Sequence, residues 1–185
     1  MTDEVLKAAL LEKGKEANEK VRTFFTHFSF EQLNWKPSPE SWSIGQCLDH
    51  LIVADRCYFP TFEKIISGTY QESIWQKYSP LSGLFGWTLK DQMKEQVKRG
   101  MKTSPIFYPT TSAIDLDVVD RYLSNLDTFL NYISTFRKLR GTIITSPVSP
   151  FITYSLRDCL IFLITHEHRH INQAIRVKEM DGFPR

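Results

Sequence analysis

The chain has no stretch approaching the roughly 18 consecutive apolar residues that a membrane-spanning helix needs. No membrane partner is expected. Met1 is followed by Thr2, Asp3 and Glu4 in place of a basic segment and an apolar run, so a secretory signal is not expected and a cytoplasmic location is. Cysteine is scarce: Cys47, Cys57 and Cys159 are odd in number and widely spaced, which excludes a disulfide framework and leaves buried reduced thiols as the expectation. Charge of one sign is also missing. With 23 Lys and Arg against 21 acidic residues, a net charge of +2 offers no field for a phosphate backbone, and no nucleic-acid partner is expected. Repeats, low-complexity tracts and long charge runs are absent as well.

What is present is an ordinary globular composition, 42% hydrophobic and 24% charged, over 185 residues. That length suits one hydrophobic core, so residues 1–185 are read as a single domain. Four amphipathic helical segments emerge from the periodicity. The first runs from about Asp3 to Phe28, with Leu6, Leu10, Ala17, Val21, Phe24 and Phe28 forming an apolar stripe. After Lys36-Pro37-Ser38-Pro39, the run Ser43-Ile44-Gly45-Gln46 offers a capping box that satisfies free backbone donors at a helix start. The second helix continues through Cys47, Leu51, Ala54, Tyr58 and Phe62, where Pro60 deletes a backbone hydrogen bond and should kink or end it.

A long crossover from Gly68 to Ser112 follows, with a short amphipathic helix expected from about Thr88 to Lys98 and with Trp75, Phe85 and Trp87 as wall residues or core cover. Ile114, Val118, Tyr122, Leu126, Phe129, Ile133 and Phe136 define the third helix. A loop holding Gly141, Pro147 and Pro150 leads to Ser155, and the fourth helix starts there and stops by Gly182-Phe183-Pro184. Four such stripes without an alternating strand pattern predict an all-α four-helix bundle with a long crossover between helices two and three. Periodicity leaves the helix directions open.

The chemistry concentrates in histidines. His166 and His170 are four residues apart, hence about 40° apart around a helix, so both rings can reach one ion. They share a face with Cys159, Leu163, Gln173 and Val177, which points the pair into the core, while His168 points away. Buried imidazoles need partners, and a metal would satisfy both. His50, beside the apolar arc of helix two, is the natural third ligand, and a three-histidine site keeps coordination positions open for a nucleophile. The plain alternative is a set of core or surface histidines with ordinary hydrogen bonds. His27 is read that way, at the end of helix one.

His166-Glu167-His168-Arg169-His170 also matches the H-E-x-x-H pattern of zinc peptidases, in which the Glu is a general base. The extended form of that pattern wants a glycine and a further histidine, but Gln173 and Arg176 occupy those positions. A peptidase is therefore the weaker reading.

Taken together, Ser41-Trp42-Ser43-Ile44-Gly45-Gln46-Cys47-Leu48-Asp49-His50 and the late segment His166 to Gln173 resemble the DinB-like superfamily, including its YfiT-like branch. The late segment is similar to the family pattern H-x-x-H-H-x-G-Q, with Arg169 and Asn172 departing from it. Lys102-Thr103-Ser104-Pro105 and Phe107-Tyr108-Pro109 look like the stretch before that family's third helix. The resemblance implies an up-up-down-down bundle, frequent homodimers, and one divalent ion, zinc or nickel, held by His50, His166 and His170. Relatives of that kind include S-transferases that use low-molecular-weight thiols such as bacillithiol, a mycothiol-dependent isomerase, and proteins described only as metal-dependent hydrolases.

Three functions follow as expectations. The first is metal-dependent thiol S-transfer from a small-molecule thiol to an electrophile, with Gln173 and Gln46 as candidates to orient ligands. The second is metal-assisted hydrolysis with Glu167 as base, against the plain reading of Glu167 as a solvated helix glutamate. The third is metal or ligand binding without turnover.

Overall fold

A computed structural model of the chain describes residues 1–78 and 103–185. The helix expected over 88–98, and Phe85 and Trp87, lie outside the described residues. Four long helices make the bundle: α1 (Asp3–Phe25), α3 (Ile44–Arg56), α6 (Val118–Thr135) and α7 (Leu156–Lys178). Shorter helices α2 (Phe30–Asn34), α4 (Phe59–Ile66) and α5 (Ile74–Tyr78) and a 3-10 turn at Pro105–Phe107 fill the connections. No helix among the described residues is long and apolar enough to cross a membrane.

The apolar stripe of α1 is realised by Leu6, Leu10, Gly14, Ala17, Val21 and Phe25. Phe25, not Phe24 or Phe28, completes it, because the helix ends there and both other rings are only partly buried. Ser43 and Gln46 form the expected capping box at the start of α3: Gln46 N donates to Ser43 Oγ over 3.1 Å, and Ser43 N donates to Gln46 Oε1 over 3.3 Å. Pro60 ends the second helical segment early and restarts it as α4, where its missing N–H falls in the first turn and costs nothing. Gly68, with φ of 74°, closes that helix in a conformation only glycine adopts cheaply.

Helix directions follow from contacts across the bundle. Gly14 meets Leu130, Lys7 Nζ donates to the Phe136 carbonyl, and Asp3 accepts from Leu139 N, so α1 and α6 are antiparallel. His50 meets His166 and Tyr58 meets Tyr154, so α3 and α7 are antiparallel too. Arg121 reaches Asp49 and Tyr132 reaches Glu63, so α3 and α6 are parallel. The order is therefore up-down-down-up, not the up-up-down-down expected. Parallel α3 and α6 require the chain to return along the bundle between them.

One element was not expected. Residues 143–155, read as loop, form an antiparallel hairpin of β1 (Ile143–Ser146) and β2 (Ser149–Ser155), pairing Ile144 with Tyr154 and Thr145 with Thr153. The β-branched residues suit strands, but Pro147 and Pro150 masked the signal; the first sits in the turn between the strands. Trp75 covers this hairpin: its indole N–H donates to the Phe151 carbonyl over 3.1 Å.

α3 differs from the other helices in being buried on nearly all sides, from Ile44 through Ile52. α2, Ile114 and the 107–112 loop cover the side that would otherwise meet water. The fit at its first turn is tight. A Cβ on Gly45 would lie 3.0 Å from the Leu33 carbonyl oxygen and 3.0 Å from Ile114 Cβ. Gly45→Ala is therefore expected to destabilise the protein by about 1–3 kcal/mol in urea unfolding, although alanine is the better helix former. A gain in stability would show that this turn has room to spare.

Candidate metal centre

α3 brings His50 and α7 brings His166 and His170 to one point. The antiparallel crossing sets α3's second turn against α7's third, and four-residue spacing stacks the two α7 rings on one face. One ring nitrogen from each histidine lies within 4.8 Å of those of the other two. The ring centroids are 4.8 Å apart for His50 and His166, and 4.5 Å for the other two pairs. Interplanar angles of 68° to 76° turn the rings like propeller blades around a common point, with no face-to-face stacking.

His50 Nδ1 lies 2.5 Å from the carbonyl oxygen of Phe107. A carbonyl can only accept, so Nδ1 carries the proton and the neutral ring presents a bare lone pair at Nε2. That Nε2 is 3.1 Å from His166 Nε2. Two nitrogens each about 2.0–2.1 Å from a single ion, at angles between square and tetrahedral, stand about 2.9–3.4 Å apart. The observed separation falls inside that range. Among the described residues, the Nδ1 atoms of His166 and His170 are buried without a hydrogen-bond partner. A set of neutral ring nitrogens converging on one point fits a borderline divalent ion such as zinc or nickel, and these three residues could hold one.

Burial, first of all, holds all three rings deprotonated. His166 is pushed well below the usual histidine range by burial and by its two neighbours, and His170 is lowered to about 3 by burial and then by the charge of His50. His50 is lowered by burial against the opposing pull of the Phe107 carbonyl and Asp49. Aromatic walls enforce this. Trp42 stacks on His170 at 5.7 Å and tilts against His50 at 4.8 Å, while Phe162 stacks on His166 at 5.5 Å. On Trp42's side an open cleft of about 390 Å³ is lined by Lys36, Trp42, Tyr108 and the hydroxyl residues Ser41, Thr110 and Thr111.

A family model described as the DinB superfamily matches residues 15–174. The chain belongs to the DinB superfamily. No curated protein and no solved structure gives a significant match. The all-α bundle and the converging histidines of this DinB-superfamily chain agree with that membership.

Glu167 is not the solvated glutamate expected; it is fully buried, because residue 167 lies about 100° around α7 from His166 and faces α6. Its Oε2 accepts from the Tyr122 hydroxyl over 2.5 Å. Nearby, Asp55 Oδ2 accepts from Asn125 Nδ2 over 2.9 Å, and Asn125 Oδ1 accepts from Arg56 Nε over 3.2 Å. Sequence reasoning passed over this second polar cluster. Asp55 and Asn125 interrupt apolar stripes, and that was the available signal. Gln173 sits beside His170 and favours its protonated form, whereas Gln46 is engaged in the helix cap and with the carbonyls of Thr111 and Ser112. Trp75 is at the hairpin and not at the histidines. His168 faces α1, with Nε2 on the Lys13 carbonyl, as its position on the helix predicted. Cys47 and Cys159 are buried and Cys57 is partly exposed. Burial pushes the Cys47 thiol up to about 12 and Cys159 well above its usual range, so neither supplies a thiolate.

Glu167 is raised from 4.5 to about 8 by burial, against the lowering effect of the Tyr122 hydrogen bond. The folded protein thus keeps a proton that the unfolded chain releases above pH 4.5, so stability declines as pH rises toward the folded value. Over pH 6.5 to 8 burial keeps His50, His166 and His170 neutral in the folded protein, and Glu167 shares its buried carboxyl cluster with Asp55, which burial and Glu167 also raise. Metal-free protein should lose about 1–2 kcal/mol across that interval in urea titrations, and Glu167→Gln should flatten the decline. A wild-type curve that rises with pH here would contradict a protonated Glu167.

Proposed function

We propose that the protein is a metal-dependent thiol S-transferase of the YfiT-like kind, with one divalent ion, zinc or nickel, held by His50, His166 and His170. The convergence of three neutral ring nitrogens, with Nε2 of His50 and of His166 3.1 Å apart, carries this reading. A divalent ion bound there supplies Lewis acidity that lowers the pKa of a thiol or water reaching it. The residues of the chain bind, orient and exclude water. Phe107 and His50 fix one ligand's tautomer, while Trp42 and Phe162 keep the rings dry and neutral.

Two observations favour an external thiol over water as nucleophile. The buried cysteines hold their protons, so the sulfur must arrive with a substrate. Hydrolysis profits from a free base beside the nucleophile, and Glu167 is tied to Tyr122 and protonated near neutrality. In the reaction, the sulfur bonds to an electrophilic carbon, the leaving group departs with its electron pair, and the thiol proton passes to solvent. The cleft beside Trp42, with Lys36 and several hydroxyls, has the size and polarity for a small hydrophilic thiol.

Elemental analysis of untagged protein should find about one zinc or nickel per chain, and His50→Ala, His166→Ala and His170→Ala should each lose it while helicity is retained. Thiol consumption with a panel of alkyl halides and epoxides should fall to background in the same variants. Wild type that takes up no metal on reconstitution would overturn the reading. Ester or amide hydrolysis without thiol consumption would replace it with the hydrolase.

A further inference from the structure

Two consecutive residues of α3 grip the loop that follows the 3-10 turn. His50 donates to the Phe107 carbonyl at the end of that turn. Asp49, whose side chain is completely buried, holds the same loop three residues on. Its Oδ2 accepts from the Thr110 backbone N–H over 2.7 Å and from the Thr110 hydroxyl over 2.8 Å. Its Oδ1 faces Arg121 Nη1 at 3.4 Å, which ties the grip to α6. Only Tyr108 and Pro109 separate the two grips, and the proline fixes one of the intervening dihedrals. Where Thr110 sits therefore decides where the Phe107 carbonyl sits.

That position has a chemical consequence. A histidine side chain in water places its proton mostly on Nε2, which would leave His50 with a donor where a metal ligand needs a lone pair. The Phe107 carbonyl reverses the preference by accepting only from Nδ1. We infer that Asp49 is a positioning residue: by clamping Thr110 it holds the Phe107 carbonyl on His50 Nδ1 and so keeps His50 Nε2 available toward His166. The inference rests on the three-histidine reading for its effect on metal affinity, but its effect on the His50 tautomer stands without any metal.

The test uses the full chain, metal-free, with its histidines labelled with nitrogen-15. Two-bond nitrogen–proton correlations report the tautomer of His50, and zinc affinity is measured by competition with a chromophoric chelator. Wild type should show the Nδ1–H form of His50. Asp49→Ala should populate the Nε2–H form and weaken zinc binding about 10- to 100-fold. Thr110→Val removes one of the two clamp bonds without touching α3. It should weaken zinc binding several-fold, and add nothing further in an Asp49→Ala background; it also keeps the test alive where Asp49→Ala fails to fold. A tautomer shift in a protein whose wild type binds no zinc would support the clamp while sinking the metal reading. An unchanged tautomer and zinc affinity in folded Asp49→Ala or Thr110→Val, or an Nε2–H form in wild type, would overturn the proposal.

Discussion

An imidazole inside a helix bundle has given up its water, and three at one point also oppose one another's protonation, so each must stay neutral and find an answer for its lone pair. His50, His166 and His170 are in that position. Much of the surrounding structure serves that requirement. Trp42 and Phe162 close off solvent, the Phe107 carbonyl takes the one proton that His50 must place, and the antiparallel crossing of α3 and α7 brings the rings to a common centre. The Nε2 atoms of His50 and His166 are left facing each other over 3.1 Å with His170 beside them, and a cation is the chemistry that suits such a set.

The same physics governs α3 along its length. A helix buried on nearly every side cannot turn its buried polar residues to water, so each must be met by a specific partner. Gln46 serves the cap and the Thr111 carbonyl, Asp49 takes Thr110 and Arg121, His50 takes Phe107, and Asp55 takes Asn125. Two separate polar systems result inside one apolar core. Adjacent residues of α7 belong to different ones: His166 to the histidine cluster, Glu167 to the carboxyl cluster with Tyr122 and Asp55. Burial and the hydrogen bond from the Tyr122 hydroxyl engage Glu167 in the second system, whereas a zinc peptidase needs the glutamate of this motif free as a general base.

Membership of the DinB superfamily accounts for the bundle, but chemistry belongs to the site and not to the scaffold. Here the site offers neutral nitrogens, aromatic walls and a polar cleft alongside. Those features suit the holding of a divalent ion.

Much was readable from residue order. The helices, the capping box at Ser43, the break at Pro60 and the shared face of His166 and His170 all follow from periodicity, caps and four-residue spacing, because these are local rules of the backbone. Tertiary packing decided the rest. The hairpin at 143–155 was hidden by its prolines, and the up-down-down-up order cannot be read from stripes that look the same in either direction. The burial of Glu167, the grip of Asp49 on Thr110 and the carbonyl that sets the His50 tautomer all depend on residues 45 or more positions apart in the chain. Sequence alone determined which residues carry donor atoms and on which helical face. Only packing could decide what each faces, because a buried polar group is defined by partners that chain order does not bring near.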